Sequence, residues 1–211
     1  MSAMSDKNPD SNTNLIPSVP NDFKELFKDK TSTDVTFIFV GGIIKAHKVV
    51  LMARSPVFKE MFTQKMANQQ NYEIKITDID IEVFEEILQY IYTNNISSLD
   101  KNHVIKLLHP VCKYKLDALK EVCGESIWKE ITVENASRTL VMANTYKMAR
   151  LQIRTLDYIY EHFDEITKAP SYERMKNKHP KIAMMIEIFK QMKEGKEKLV
   201  IHLLERRIAF E

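Results

Sequence analysis

Hydrophobic and polar positions change rhythm along this chain. Val35 to Val40 is a run of β-branched and aromatic residues. Gly41-Gly42 supplies a tight turn and Ile43-Ile44 opens a second strand, so the segment predicts a β-hairpin. Ser55-Pro56 reads as an N-cap with proline at the first helical position, and Phe58, Met61 and Phe62 give the following helix an apolar face. Tyr72 to Ile76 alternates Tyr72, Ile74 and Ile76 with Glu73 and Lys75, the two-residue period of a third strand. After Asp80, a cap, the period becomes helical. Val83, Phe84, Ile87, Leu88, Ile91 and Tyr92 form a wide stripe that must face a core.

The rest of the chain predicts helix after helix. Asp100 caps one with Val104, Leu107 and Leu108 inward, and Pro110 ends or kinks it. Leu116, Leu119, Val122, Cys123 and Ile127 mark the next. Thr132 caps a helix carrying Ala136, Leu140, Val141 and Ala143. Met148, Leu151, Leu156, Ile159 and Phe163 follow, then Ile182, Met185, Ile186 and Phe189. Ahead of the hairpin, Asp22 and Glu25 have capping-box spacing. They place Phe23, Leu26 and Phe27 on one face of a short helix, where two aromatics need a surface to pack on. Strands in the first half followed only by helices predict an α+β domain joined to a smaller helical one. Residues 1–20, rich in Ser, Asn, Asp and Pro, predict a disordered tail. Residues 191–211 are charged and then apolar from Leu199 to Leu204, which predicts a last amphipathic helix that docks back on the helical domain, the favoured reading, or binds a partner.

Composition narrows the function. Four glycines among 211 residues exclude the Gly-rich phosphate cradles GxGxxG and GxxxxGK[ST]. Thirty-one basic side chains against 29 acidic ones are too balanced to call for nucleic acid or a membrane surface. No apolar run approaches the roughly 18 residues of a spanning helix. Cys112 and Cys123 form neither a CxxC pair nor a disulfide framework, and read as buried thiols in a reducing compartment. The N-terminus has no apolar signal core, so the expectation is a soluble protein of the cytoplasm or nucleus. The six histidines fall in no zinc-ligand spacing, and there is no GxSxG elbow. Cys112, beside Lys113, is the one place where a lowered thiol pKa could arise, against the plainer reading of a small core residue. The expectation is no cofactor, no metal, no small-molecule substrate and no bond chemistry. Function should lie in surfaces.

The segment 46–62, AHKVVLMARSPVFKEMF, is the most specific. With Asp34 ahead of the first strand, Ile91-Tyr92-Thr93 and Tyr114-Lys115-Leu116, it closely resembles the BTB/POZ domain. ARSPVF at 53–58, VFEEILQYIYT at 83–93 and SLDK at 98–101 are similar to the speckle-type POZ protein group. Thr132-Val133-Glu134-Asn135-Ala136 and the helices to Phe163 resemble its truncated BACK, or three-box, region, and His179-Pro180 fits its end. The resemblance implies a disordered tail at 1–20, a BTB/POZ domain at 21–128, a small mixed sheet with packed helices, then an all-α BACK-like region at 131–190 and a charged, amphipathic segment at 191–211. Members of that group usually carry an N-terminal MATH domain that grips substrates. Only about twenty polar residues precede the domain here, so a chain without one is expected.

The resemblance also implies partners. Phe23, Leu26 and Phe27 match the first helix of the family's dimer interface, and Asp34 and Lys48 match a buried charged pair near the dimer groove. Phe62, Met66 and Tyr114 match positions that touch a cullin. A hydrophobic-x-Glu motif that holds the cullin is matched by Met66-Ala67-Asn68, so Asn68 replaces the carboxylate with an amide and weakens that contact. His47 reads as a packed histidine anchoring the hairpin to the following helix. The implied function is a non-catalytic homodimer or BTB heterodimer that adapts the third cullin of a RING ubiquitin ligase to substrates for proteasomal degradation. The alternative is a ligase-independent self-association or scaffolding protein that heterodimerises with full-length MATH-BTB relatives.

Overall fold

A computed structural model describes residues 19–65 and 72–195. The chain divides into two compact units at Ser97 and Ser98. The first contains α1 (Val19–Lys28), β1 (Val35–Phe39), β2 (Gly42–Ala46), α2 (Lys48–Arg54), α3 (Pro56–Lys65), β3 (Tyr72–Lys75) and α4 (Ile81–Thr93). Its sheet has the order β2-β1-β3. β1 is antiparallel to β2, with Phe37 opposite Ile44, and parallel to β3, with Phe37 opposite Ile74. The antiparallel pair needs only the Val40-Gly41 turn, whereas the parallel pair needs a crossover, which α2 and α3 provide. Val35, Phe37 and Phe39 point alternately inward and are buried. Phe37 meets Phe84 at 4.7 Å and Phe58 at 5.8 Å between ring centroids. All six residues of the α4 stripe are buried, and so are Glu86 and Tyr90. α4 is therefore a central helix enclosed on most of its surface.

Three details differ from the sequence reading. α1 begins at Val19, so Asp22 lies in its first turn rather than at the cap. A carboxylate there still favours the helix dipole, and Glu25 is spent on an ion pair with Lys28 at 2.9 Å. A separate helix, α2, intervenes between hairpin and Ser55. Ser55 does cap α3, accepting the Phe58 N–H at 3.2 Å. Asp80 occupies the N-cap of α4 but its side chain makes no cap bond.

The second unit is helical: α5 (Lys101–Lys113), α6 (Asp117–Lys129), α7 (Val133–Thr145), α8 (Ala149–Glu161), α9 (Phe163–Ile166), α10 (Pro170–Lys178) and α11 (Pro180–Lys193). The expected boundary at 128–131 falls inside it, between α6 and α7. Asp100 caps α5, accepting from Asn102 and His103 N–H at 3.1 Å each. Pro110 does not end α5, which runs on for one more turn. Thr132 caps α7, and its own N–H donates to the Asn135 side chain at 3.0 Å. Val122, expected inward, is exposed.

This unit holds an internal repeat. α5–α6 and α7–α8 are both pairs of 13-residue helices, joined by Tyr114-Lys115-Leu116 in one and Tyr146-Lys147-Met148 in the other. Lys115 and Lys147 both take the left-handed conformation, φ 50° and 52°. Each connector is closed by an N–H bond five residues back, Leu116 to Val111 at 2.9 Å and Met148 to Ala143 at 2.8 Å, the helix-ending geometry that satisfies orphan carbonyls. Burial coincides along the offset: Val104 with Ala136, Leu108 with Leu140, Leu119 with Leu151, Cys123 with Thr155, Ile127 with Ile159. α10–α11 makes a third hairpin. Ala136, Leu140, Leu156, Ile159, Ile166, Met175, Ile182 and Ile186 form one core through the last two hairpins.

Candidate interaction surfaces

The first surface lies on the N-terminal unit. α1 packs on α4, and Phe23, Val49, Val50, Ala53, Arg54, Ile91, Tyr92, Thr93 and Asn94 line a concavity of about 370 Å³ between α1, α2 and α4. Phe23 is 37% exposed and Val49 72% exposed. The two make an apolar rim that this unit leaves in water. Leu26 is half-buried. Phe27 is used differently from the expectation. Its ring lies 5.3 Å from that of Tyr92, and Lys30 covers it at 4.6 Å. Phe27 therefore ties α1 to its own α4, while Phe23, one turn earlier on the same side of α1, stays on the rim.

Asp34 and Lys48 do meet, but not as the charged pair expected. Asp34 Oδ1 accepts the Lys48 backbone N–H at 2.7 Å. This replaces the cap bond that His47, the N-cap of α2, does not make with its side chain. The Lys48 ammonium lies over the Tyr72 ring at 5.7 Å, a cation–π contact on a stem that is itself buried.

His47 is the hinge of this region. The Tyr92 hydroxyl accepts the His47 backbone N–H at 2.8 Å and bonds the imidazole Nδ1 at 2.8 Å, while Nε2 meets Ser32 Oγ at 2.9 Å. The histidine thus anchors the hairpin to α4 and to the 29–34 loop through its side chain, and to α2, as expected, through its carbonyl, which accepts the Val50 and Leu51 N–H at 3.1 and 3.2 Å. Burial pushes the Tyr92 phenol up to about 12; the His47 amide pulls against that rise, and the Asp34 charge adds to it.

Of the cullin-matching positions, Phe62 and Tyr114 are described, and both are buried. Phe62 is fully buried, stacked on Phe58 at 5.8 Å and edge-on to Tyr72 at 5.7 Å. It is a core residue, since the fourth position after Phe58, one turn on along α3, faces the sheet. Tyr114 is buried as well, at the end of α5 where the connector turns inward. Both expectations of a contact surface at these two side chains are corrected. Met66 and Asn68 lie outside the described residues.

The surroundings of Cys112 do not lower its thiol pKa. Burial pushes its thiol up, outweighing the pull of Lys120, and Sγ faces the Tyr146 carbonyl at 3.8 Å. A protonated, half-buried thiol is a poor attacking group. Among the described residues no cluster of three His, Cys, Asp or Glu could hold a metal, and no helix is long and apolar enough to cross a membrane.

The BTB/POZ domain profile matches residues 23–131. The chain belongs to the BTB/POZ domain family. Such domains are protein–protein interaction modules and are in general non-catalytic. Among relatives, TD and POZ domain-containing protein 2 of Mus musculus is 32% identical over 175 residues, covering 79% of this chain and 48% of that protein. TD and POZ domain-containing protein 4 of Mus musculus is 31% identical over 166 residues, covering 78% and 45%. This BTB/POZ chain spans about half the length of the curated relatives it matches. Among solved structures, the BTB domain of zebrafish PATZ1 superposes with a TM-score of 0.46 at 23% identity, covering 53% of this chain and 89% of that one. The BTB domain of human Gigaxonin gives 0.44 at 21%, covering 59% and 98%.

Proposed function

We propose that this chain is a dimerising adaptor that pairs through the α1–α2–α4 face and carries a cullin-class ligase scaffold to its partners. The observation that supports pairing is the apolar rim of Phe23 and Val49 around a concavity of about 370 Å³. An exposed Val and a half-exposed Phe on adjoining helices are covered when a second copy presents the same patch about a two-fold axis. The fold leaves Leu26 half-buried beside them, able to serve both its own α4 and a partner.

The cullin reading rests on the speckle-type likeness at 53–58 and 83–93, on the helical hairpins that follow the BTB domain as a BACK-like region would, and on Met66-Ala67-Asn68. With Phe62 and Tyr114 in the core, docking falls to the segment after α3. Isothermal titration of the full chain with the N-terminal domain of the third cullin tests it, and no heat at high micromolar concentration refutes the adaptor role. Asn68 favours a second reading. An amide where a carboxylate would accept a charge-assisted bond gives up about 1.5–3 kcal/mol, which fits a chain that heterodimerises with longer relatives without engaging a ligase. Co-purification of BTB relatives without a cullin would select this reading. Either role places the protein in the cytoplasm or nucleus.

A further inference from the structure

A second concavity, in the C-terminal unit, has the opposite character from the apolar rim. Arg138 and Val141 of α7, Ser171, Arg174, Met175 and Lys178 of α10, and His179 at the start of α11 enclose about 340 Å³. Ser171, Arg174 and Lys178 fall three and four residues apart and so share one face of α10. Arg138, Arg174 and Lys178 make no ion pair or hydrogen bond among the described residues. The carboxylates nearest in sequence are turned elsewhere: Glu134 bonds Thr132 and its own backbone N–H, and Glu173 accepts from Asn177. The Ser171 hydroxyl is screened from solvent and has no partner among the described residues, although buried polar groups are nearly always satisfied. The floor is apolar, formed by Val141 and the buried Met175.

We propose that this concavity binds an acidic peptide segment of a partner protein, with an apolar side chain seated on Val141 and Met175 and flanking carboxylates on Arg138, Arg174 and Lys178. Guanidinium forks suit carboxylates held in a plane, the serine hydroxyl gains an acceptor, and three like charges gathered around one hollow lose their mutual repulsion. An apolar floor under a cationic rim matches a peptide better than a bare ion, which would leave the floor wet. The proposal rests on residues of the C-terminal unit alone.

The test is fluorescence anisotropy on the full chain with a labelled peptide in which one leucine is flanked on each side by two aspartates. Binding is expected in the tens of micromolar, roughly, falling about tenfold or more in Arg138→Glu with Arg174→Glu and on raising salt across a few hundred millimolar. Ser171→Ala should weaken it a few-fold. Lys106→Ala, at an exposed lysine on α5, should bind as the parent does. The three positions that carry charge changes, Lys106, Arg138 and Arg174, are exposed, so melting curves should coincide; if the double reversal misfolds, Arg174→Ala alone carries the test. Unchanged binding in the arginine variants, equal loss in Lys106→Ala, or equal binding of the asparagine version of the peptide would overturn the proposal. So would displacement by millimolar inorganic phosphate together with binding of a phosphoserine peptide but not the aspartate one, which would make the hollow a phosphoryl site.

Discussion

Val49→Asp separates pairing from folding. Val49 is 72% exposed, so in the monomer the new carboxylate sits in water, and a surface change of this kind moves stability by about 0.5 kcal/mol or less. In a two-fold dimer it enters the apolar patch twice, once from each copy. An unpaired charge taken out of water in such a patch costs several kcal/mol, and two like charges brought near the axis add repulsion. A total of about 4 kcal/mol weakens the dimer by roughly three decades. A pair held at submicromolar concentration then dissociates at tens of micromolar. Sedimentation velocity across a hundredfold concentration range reads this directly, with a thermal melt beside it. The substitution is cleaner than a charge at Phe27, which would also tear α1 from Tyr92. The reasoning fails if Val49→Asp sediments as the parent does at every concentration, or if the parent is itself monomeric at about 50 µM.

Phe62→Ala should cost about 3–5 kcal/mol of stability, visible as a lower denaturation midpoint; a midpoint within error of the parent would return Phe62 to the surface. Asn68→Glu should tighten cullin binding by about 1–2 kcal/mol with no change in melting, and Met66→Ala should abolish whatever binding the parent shows, both read by titration calorimetry. Tyr92→Phe strands the His47 N–H and Nδ1 and should cost about 2–3 kcal/mol at neutral pH. Because the folded phenol titrates at about 12 rather than 10, its contribution is complete below pH 10 and is lost as the pH rises to 12. The parent should therefore lose stability across that window more steeply than Tyr92→Phe, and parallel alkaline unfolding curves would refute the assignment.

The sequence makes the secondary structure largely readable because the signals are local. The β-branched run, the Gly pair, Ser55-Pro56 and the α4 stripe each fix an element within ten or so residues. α2 escaped because its seven residues, Lys48–Arg54, are too few to show a helical period, and its cap comes from Asp34, fourteen positions upstream in the chain. Site residues were less legible. An aromatic at Phe62 looks the same whether it faces a sheet or a partner, and only the packing of α3 on β3 decides. The repeat in the C-terminal unit was in plain view as Tyr-Lys-Leu and Tyr-Lys-Met. It is faint in sequence because helices need only matching burial, and Cys123 with Thr155 or Val104 with Ala136 fill equivalent places with different chemistry. The basic hollow joins α7 to α10, so no window along the chain could have shown it.

Gly124 tests how the first two hairpins of that repeat meet. It is buried in the middle of α6, where a Cβ would stand 3.2 Å from Met148 Cε and 3.9 Å from Leu151 Cβ. Glycine inside a helix sacrifices about 0.8–1 kcal/mol relative to alanine. The close atom is the terminal methyl of a thioether, which has three rotatable bonds and can move a few tenths of an ångström at small cost. Helix propensity should therefore win, and Gly124→Ala should gain about 0.5 kcal/mol, or roughly 1–2 °C in melting temperature. Gly124→Leu reverses the sign. A branched side chain must also displace Leu151, whose Cβ is fixed to the α8 backbone, and overpacking of this kind costs about 1–3 kcal/mol. If the hairpins pack at Gly124 as described, the two substitutions shift the melt in opposite directions. If both stabilise, α6 and α8 are not in contact there. If both destabilise, Met148 has no room to move, and the glycine is required by a packing tighter than 3.2 Å to a flexible methyl implies.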